Sequence, residues 1–296
     1  MDFAFSEEQE MLRTSARDFL EKECPPTLVK EMVEDERGYP PELWHKMAEL
    51  GWIGLAFPVE YGGGGMTFFD LMILLEEMGR ARLPGPFFST LVGGFIILEA
   101  GNESQRKELL PQITRGEKIL TLALTEPEAT YVPSGVMTKA VADGSDYIIE
   151  GTKLFIPDAH VADYLVCVTR TGDKEDGITL FLVDAKSPGI NYTQLKTMGG
   201  DKQSEVTFNK VKVPGKNMIG ELHRGWTVIE KILPKAAMGK CAEMVGGAQW
   251  VLDTAVAYAK ERAQFGRPIG SFQAVQHHCS NMIIDVDGAK YITYKA

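Results

Sequence analysis

The sequence lacks most marks of a secreted, metal-bound or membrane-spanning chain. Its four cysteines, Cys24, Cys167, Cys241 and Cys279, form no CxxC pair, and no His is spaced from them as a zinc ligand would be. They read as reduced thiols of a cytosolic protein. No run of about 18 apolar residues is present, so no membrane-spanning helix is expected. Lys and Arg form no dense run and the formal net charge is -10, which argues against a nucleic-acid partner. Gly-x-Ser-x-Gly, the Walker loop and His-Glu-x-x-His are all missing. No Gly-x-Gly-x-x-Gly follows a strand, so any dinucleotide must be held without a Rossmann fingerprint. Asp2 stands where a signal peptide carries its basic region, and Glu7, Glu8 and Glu10 follow at once. His277 and His278 are neighbours, which point apart on a helix, so no joint metal site is expected.

What is present is an ordinary globular composition, 44% hydrophobic over 296 residues, enough for two or three modules. Residues 1–118 read as helices. Ser6 with Gln9 forms a capping box, and Met11, Leu12, Ala16, Phe19 and Leu20 follow at helical spacing. Pro40-Pro41 opens a second helix that Gly51 stops, and Thr67 caps a third ending at Gly79. Leu91 to Leu98 reads as a buried helix ending at Gly101, and Ser104 opens another before Gly116. Ile53 to Phe57 is strand-like, with Gly62 to Gly65 a flexible turn after it.

From 119 to 222 the pattern changes to short β-rich runs, at 119–124, 136–142, 147–156, 163–170, 178–184, 190–196 and 205–213. Asp143-Gly144, Gly172-Asp173 and Pro188-Gly189 separate some of them. Such spacing predicts an antiparallel barrel or sandwich. From 223 the helical pattern returns. A segment from Gly225 to Gly266 is long enough to need a bundle, and Pro234 is expected to kink or interrupt it. The last helix is still amphipathic at Ala296, which leads us to expect an incomplete C-terminal bundle. The expected class is therefore α+β: an N-terminal helical domain, a central β domain and the start of a helical bundle.

Four segments carry a family resemblance. The first is Phe5, Glu8, Gln9, Arg13, Arg17 and Phe19, then Leu50-Gly51-Trp52 and Pro58 to Gly64. The second is Ala123-Leu124-Thr125-Glu126-Pro127, then Lys139-Ala140 and Ile149-Glu150-Gly151-Thr152-Lys153. The third is Val206, Phe208, Val211, Val213 and Pro214, leading to Gly220 and Gly225-Trp226. The fourth is Glu261-Arg262-Ala263-Gln264-Phe265-Gly266, then Ile269, Phe272, Gln273 and Gln276. Together they resemble the acyl-CoA dehydrogenase family over the whole chain.

The resemblance implies bound FAD, lying between the β domain and the last helices, with part of the site from a second subunit. Leu124 and Thr125 match the loop that meets the flavin ring, and Phe155 and Pro157 match residues beside it. Arg262, Gln264 and Phe265 match the turn that meets the pyrophosphate and adenine of a neighbouring subunit's FAD, with Ile269, Phe272 and Gln273 adjoining. Chemically this is sensible, since Arg262 offers a planar fork of donors and Phe265 an apolar face. Taken alone, Arg262 could equally pair with a surface carboxylate and Phe265 could be core. Tyr131 falls at a position near the substrate where the family usually has Ser. Pro157 stands where the family has Thr, and it offers neither a hydroxyl nor an N–H. An Arg common in the long helix matches Ala237.

The implied activity is α,β-dehydrogenation of an acyl-CoA thioester, as in fatty acid β-oxidation, with electrons passed to an electron-transfer flavoprotein. A homotetramer, or dimer of dimers, is implied. The family's catalytic base lies in the C-terminal region or at the position matching Ala236, so none is assigned. Glu243, roughly 10 Å along the helix from Ala236, is too far to replace it simply. A non-catalytic or assembly subunit of a hetero-oligomeric dehydrogenase is the alternative, and an oxidase or monooxygenase on the same fold a third.

Overall fold

The computed structural model describes residues 5–173 and 177–296. Met1 to Ala4, which include Asp2, lie outside the described residues. The first six helices are α1 (Glu7–Glu23), α2 (Pro26–Glu34), α3 (Pro41–Glu49), α4 (Phe68–Ala81), α5 (Phe87–Ala100) and α6 (Glu103–Thr114). Strands β1 (Leu120–Ala123), β2 (Lys139–Asp143), β3 (Asp146–Pro157), β4 (Tyr164–Arg170), β5 (Ile178–Asp184), β6 (Ile190–Leu195), β7 (Gln203–Pro214) and β8 (Met218–Ile219) follow. The chain closes with α7 (Gly225–Glu261), the short strands β9 (Ala263–Gln264) and β10 (Arg267–Pro268), and α8 (Gln273–Lys295).

Reciprocal capping boxes start α1 (Ser6 with Gln9), α4 (Thr67 with Asp70) and α6 (Asn102 with Gln105). The last corrects the expectation at Ser104. Asn102 has a Gln three residues on to return the bond, whereas Ser104 is followed at that distance by Lys107. Ile53 to Phe57 is buried but forms turns, not a strand. Its amides are used locally, Leu55 donating to Trp52 and Phe57 to Gly54. A kink or an interruption was expected at Pro234; the interruption does not occur, and α7 is one helix with Pro234 inside it.

The chain divides into two compact units. One gathers residues 1–29, 66–83 and 235–296, and thus α1, α4, α8 and most of α7. Within it Arg17 forks onto Glu77 at 2.9 and 2.6 Å, joining α1 to α4. Glu76 accepts from Lys290 at 3.0 Å and from the Tyr294 hydroxyl, joining α4 to α8. Gly79 does not end α4, as expected, but lies inside it. A Cβ at Gly79 would overlap the Glu243 carbonyl oxygen, and one at Gly246 would overlap that of Glu76. These glycines let α4 and α7 cross backbone to backbone. Gly246→Ala is expected to cost about 1–3 kcal/mol, read as a lowered urea midpoint with unchanged slope.

The other unit holds residues 30–65 and 84–234. Its sheet runs β6-β7-β3-β2-β4-β5-β8, with β1 added beside β4. Pairing is antiparallel except at β4, whose pairings with β1 and with the first residue of β2 are parallel. The hairpin β2–β3 intervenes between β1 and β4, giving the long connection that a parallel pair needs. Only Lys139 and Arg170 pair β2 with β4, so the sheet falls into two four-stranded groups. Tyr147 of β3 packs on Phe181 of β5 at 4.7 Å between ring centroids, and Thr121 of β1 donates to the Pro157 carbonyl at 2.7 Å. The expected sandwich thus has a core of β-branched and aromatic residues, among them Val166, Phe181, Val206 and Phe208.

Candidate functional site

The first set of predicted residues lies in the β unit. The register of β3 against β7 shifts between Lys153 and Ile156, which marks a bulge. In a regular strand Lys153 and Phe155 would share a face. Here Phe155 takes a left-handed φ of 55°, and the alternation breaks. Lys153 is 0% exposed, Phe155 is 53% exposed, and Ile156 between Phe155 and the exposed Pro157 is buried. A bulky residue at positive φ stores on the order of 1–3 kcal/mol, a strain that clusters at functional sites.

The loop after β1 is tied to this bulge. Leu154 N–H donates to the Thr125 carbonyl at 2.8 Å, and Lys153 Nζ donates to the Leu124 carbonyl at 3.2 Å. Leu124 and Thr125 are therefore tied to the bulge that carries Phe155, with Pro157 two residues further along β3. Among the described residues none bonds the half-buried Thr125 hydroxyl. Pro157 presents an exposed ring, while its carbonyl accepts from Thr121 at 2.7 Å. Tyr131 is exposed in the segment between β1 and β2, and no hydrogen bond or ring contact among the described residues joins it to the others.

Beneath the loop lies a pair that the sequence reading missed. Lys153 Nζ meets Glu126 Oε1 at 2.7 Å, and Glu126 also accepts the amides of Met137 at 2.7 Å and Thr138 at 3.0 Å. Burial pushes the Glu126 carboxyl up, but the Lys153 ammonium and the two amides outweigh it, leaving the carboxyl below the usual carboxylate range. Cys167, wholly buried near the pair, has its thiol pushed up to about 12 by burial. The available signal was a lysine within the apolar run Leu154-Phe155-Ile156, where a free charge has no place.

The second set lies in the helical unit. β9 and β10 form a hairpin whose two central residues, Phe265 and Gly266, have φ of 56° and 78°. Two positive φ angles make a type I′ turn, which normally takes Asn-Gly. Phe265 is 92% exposed at its tip. Its ring meets Phe272 edge-on at 6.1 Å, and the Arg267 guanidinium stacks on Phe272 at 4.1 Å. Ile269 N–H donates to the Arg262 carbonyl at 2.8 Å, closing the hairpin onto the end of α7. Arg262 is exposed, and among the described residues no carboxylate pairs with it. Neither a surface ion pair nor a core phenyl accounts for these two side chains. Phe265→Asn is expected to leave stability within about 1 kcal/mol of the parent or above it, because Asn tolerates this conformation. A thermal melt reads this.

In the long helix, Glu243 is ion-paired with Lys240. Burial raises its carboxyl and Lys240 opposes this, leaving it above the usual range. Among the described residues no group of three or more His, Cys, Asp or Glu is placed to hold a metal ion, and no helix is long and apolar enough to cross a membrane.

Three family models match successive parts of the chain: the acyl-CoA dehydrogenase N-terminal domain over residues 6–117, the middle domain over 121–211 and the C-terminal domain over 223–296. A 3-(aryl)acrylate reductase of Clostridium sporogenes is 36% identical over 301 residues, covering 99% of this chain and 79% of that protein. The chain belongs to the acyl-CoA dehydrogenase family. Subunit CarC of the caffeyl-CoA reductase–Etf complex of Acetobacterium woodii is likewise 36% identical, over 99% of this chain and 79% of its own length. A glutaryl-CoA dehydrogenase of Mycobacterium smegmatis, solved with FADH2, superposes with a TM-score of 0.88 at 25% identity, over 98% of this chain and 75% of that one.

The residues fit a flavin dinucleotide in two separate respects. In the β unit, an exposed aromatic ring and a proline stand on the bulged strand to which the Thr125 loop is tied, and the Thr125 hydroxyl has no hydrogen-bond partner among the described residues. In the helical unit, an exposed guanidinium that meets no carboxylate among the described residues lies in the same short segment as an exposed phenyl. Isoalloxazine needs flat apolar faces and donors, and pyrophosphate needs a planar cationic fork.

Proposed function

We propose that this family member holds FAD and uses it for α,β-dehydrogenation of an acyl-CoA thioester, exchanging electrons with an electron-transfer flavoprotein. The observation that carries the reading is the display of Phe155 and Phe265 to solvent on left-handed backbone, each beside groups that suit one end of FAD. Leu124, Thr125, Phe155 and Pro157 would hold the ring. Arg262, Gln264 and Phe265, with Ile269, Phe272 and Gln273 adjoining, would hold the phosphates and adenine. The flavin, when bound, supplies the hydride acceptor. Tyr131 is proposed on the thioester side. The segments 1–118, 119–222 and 223–296 are proposed as the family's three modules, in a cytosolic dimer of dimers. The two reductase relatives make the reverse direction, reduction of an α,β-unsaturated thioester, part of the same reading.

The base that removes the α-proton is left unassigned. Ala236 and Ala237 carry no titratable group, and Glu243 is engaged by Lys240. This favours, as a second reading, a subunit that holds FAD while a related chain supplies the base. The test is the visible spectrum of the purified chain with FAD, before and after a panel of acyl-CoA thioesters. Bleaching by one thioester supports the enzyme reading. A yellow chain that no thioester bleaches supports the second reading, and a chain that takes up no FAD overturns both.

A further inference from the structure

Lys153 is among the largest fully buried side chains of this protein. A lysine is almost never so placed unless paired. Glu126, 5% exposed, supplies the pair at 2.7 Å and is itself held by the amides of Met137 and Thr138. A salt bridge this buried is weak evidence for stability, since matched apolar groups do as well. What it does locally is more specific. The ammonium holds the Leu124 carbonyl at 3.2 Å, and the next residue of β3, Leu154, holds the Thr125 carbonyl at 2.8 Å. Two successive carbonyls are thus turned toward β3. Across a trans peptide the N–H points opposite to its C=O. Thr125 N–H is therefore turned away from Lys153, and no backbone carbonyl among the described residues accepts it. The Thr125 hydroxyl likewise has no hydrogen-bond partner among the described residues.

We infer that Lys153, paired with Glu126, is a positioning residue for the flavin ring: by holding the Leu124 carbonyl it presents Thr125 N–H and hydroxyl as a pair of donors. This rests on the flavin reading above. Glu126 gives the buried Lys153 its ion-pair partner, and the bulge at Phe155 lets the lysine enter the core while the phenyl faces out.

The test compares the full chain with the double variant Glu126→Gln/Lys153→Met, which removes the hold on Leu124 without leaving a buried unpaired charge. FAD and ADP, which carries no isoalloxazine ring, are titrated against each. The expected result is a variant that melts cooperatively, binds FAD about tenfold more weakly with a displaced long-wavelength flavin band, and binds ADP as the parent does. Unchanged FAD affinity and band position in the variant overturn the inference and leave the flavin reading standing. Equal weakening of ADP and FAD also overturns it, because it marks general damage. A parent chain that takes up no FAD overturns the flavin reading itself. Should the double variant fail to fold, Glu126→Gln/Lys153→Gln, which likewise leaves no buried charge, is read by the same measurements.

Discussion

Replacing Arg262 by Ala is expected to weaken FAD binding by about ten- to a hundredfold, the loss of a charge-assisted hydrogen bond worth roughly 1.5–3 kcal/mol. Arg262 is exposed and meets no carboxylate among the described residues, so its removal should leave the melting temperature where it was. Arg262→Lys should recover only part of the loss, because an ammonium cannot grip a pyrophosphate with a planar fork. The measurement is a titration followed by quenching of flavin fluorescence. Unchanged affinity in Arg262→Ala would remove this hairpin from the proposed site.

The second large effect concerns folding. Lys153→Met alone leaves Glu126 ionised at 5% exposure with its counter-charge gone, and is expected to cost about 3–5 kcal/mol. Adding Glu126→Gln should return most of that, since a neutral amide can still bond to the amides of Met137 and Thr138. Equilibrium urea unfolding of the parent, the single and the double variant reads both numbers. The pH dependence has a definite sign. Glu126 titrates below its unfolded value in the folded chain, so its contribution is complete above the ordinary carboxylate range and is lost as pH falls through the folded value. The parent should lose this contribution on acidification, and the double variant should lack that step. A parent and a double variant with parallel acid profiles would count against the pair as the source.

The sequence by itself determined whatever depends on neighbours a few residues apart. Capping boxes at Ser6 and Thr67 are reciprocal bonds across three residues, and their helices start where the side chains require. The β runs were legible because alternation and turn residues are local, and six of the seven predicted runs coincide with strands to within two residues at either end; the run at 136–142 begins only at Lys139, after a 3-10 turn. Arg262 and Phe265 could be named as candidates because their hairpin is one short segment. Only the tertiary structure decided the rest. Gly79 reads as a helix stop until α7 is laid across it, since nothing near it in sequence reports the Glu243 carbonyl. Pro234 reads as a break, yet α7 continues through it. Lys153 and Phe155 would share a face by strand periodicity, and the bulge sends one inward and the other out. The partner that makes a buried lysine tolerable, Glu126, stands 27 residues away, brought to it by the packing of β1 and its following loop against β3. Electrostatic partners at that separation are chosen by packing, which a periodicity does not encode.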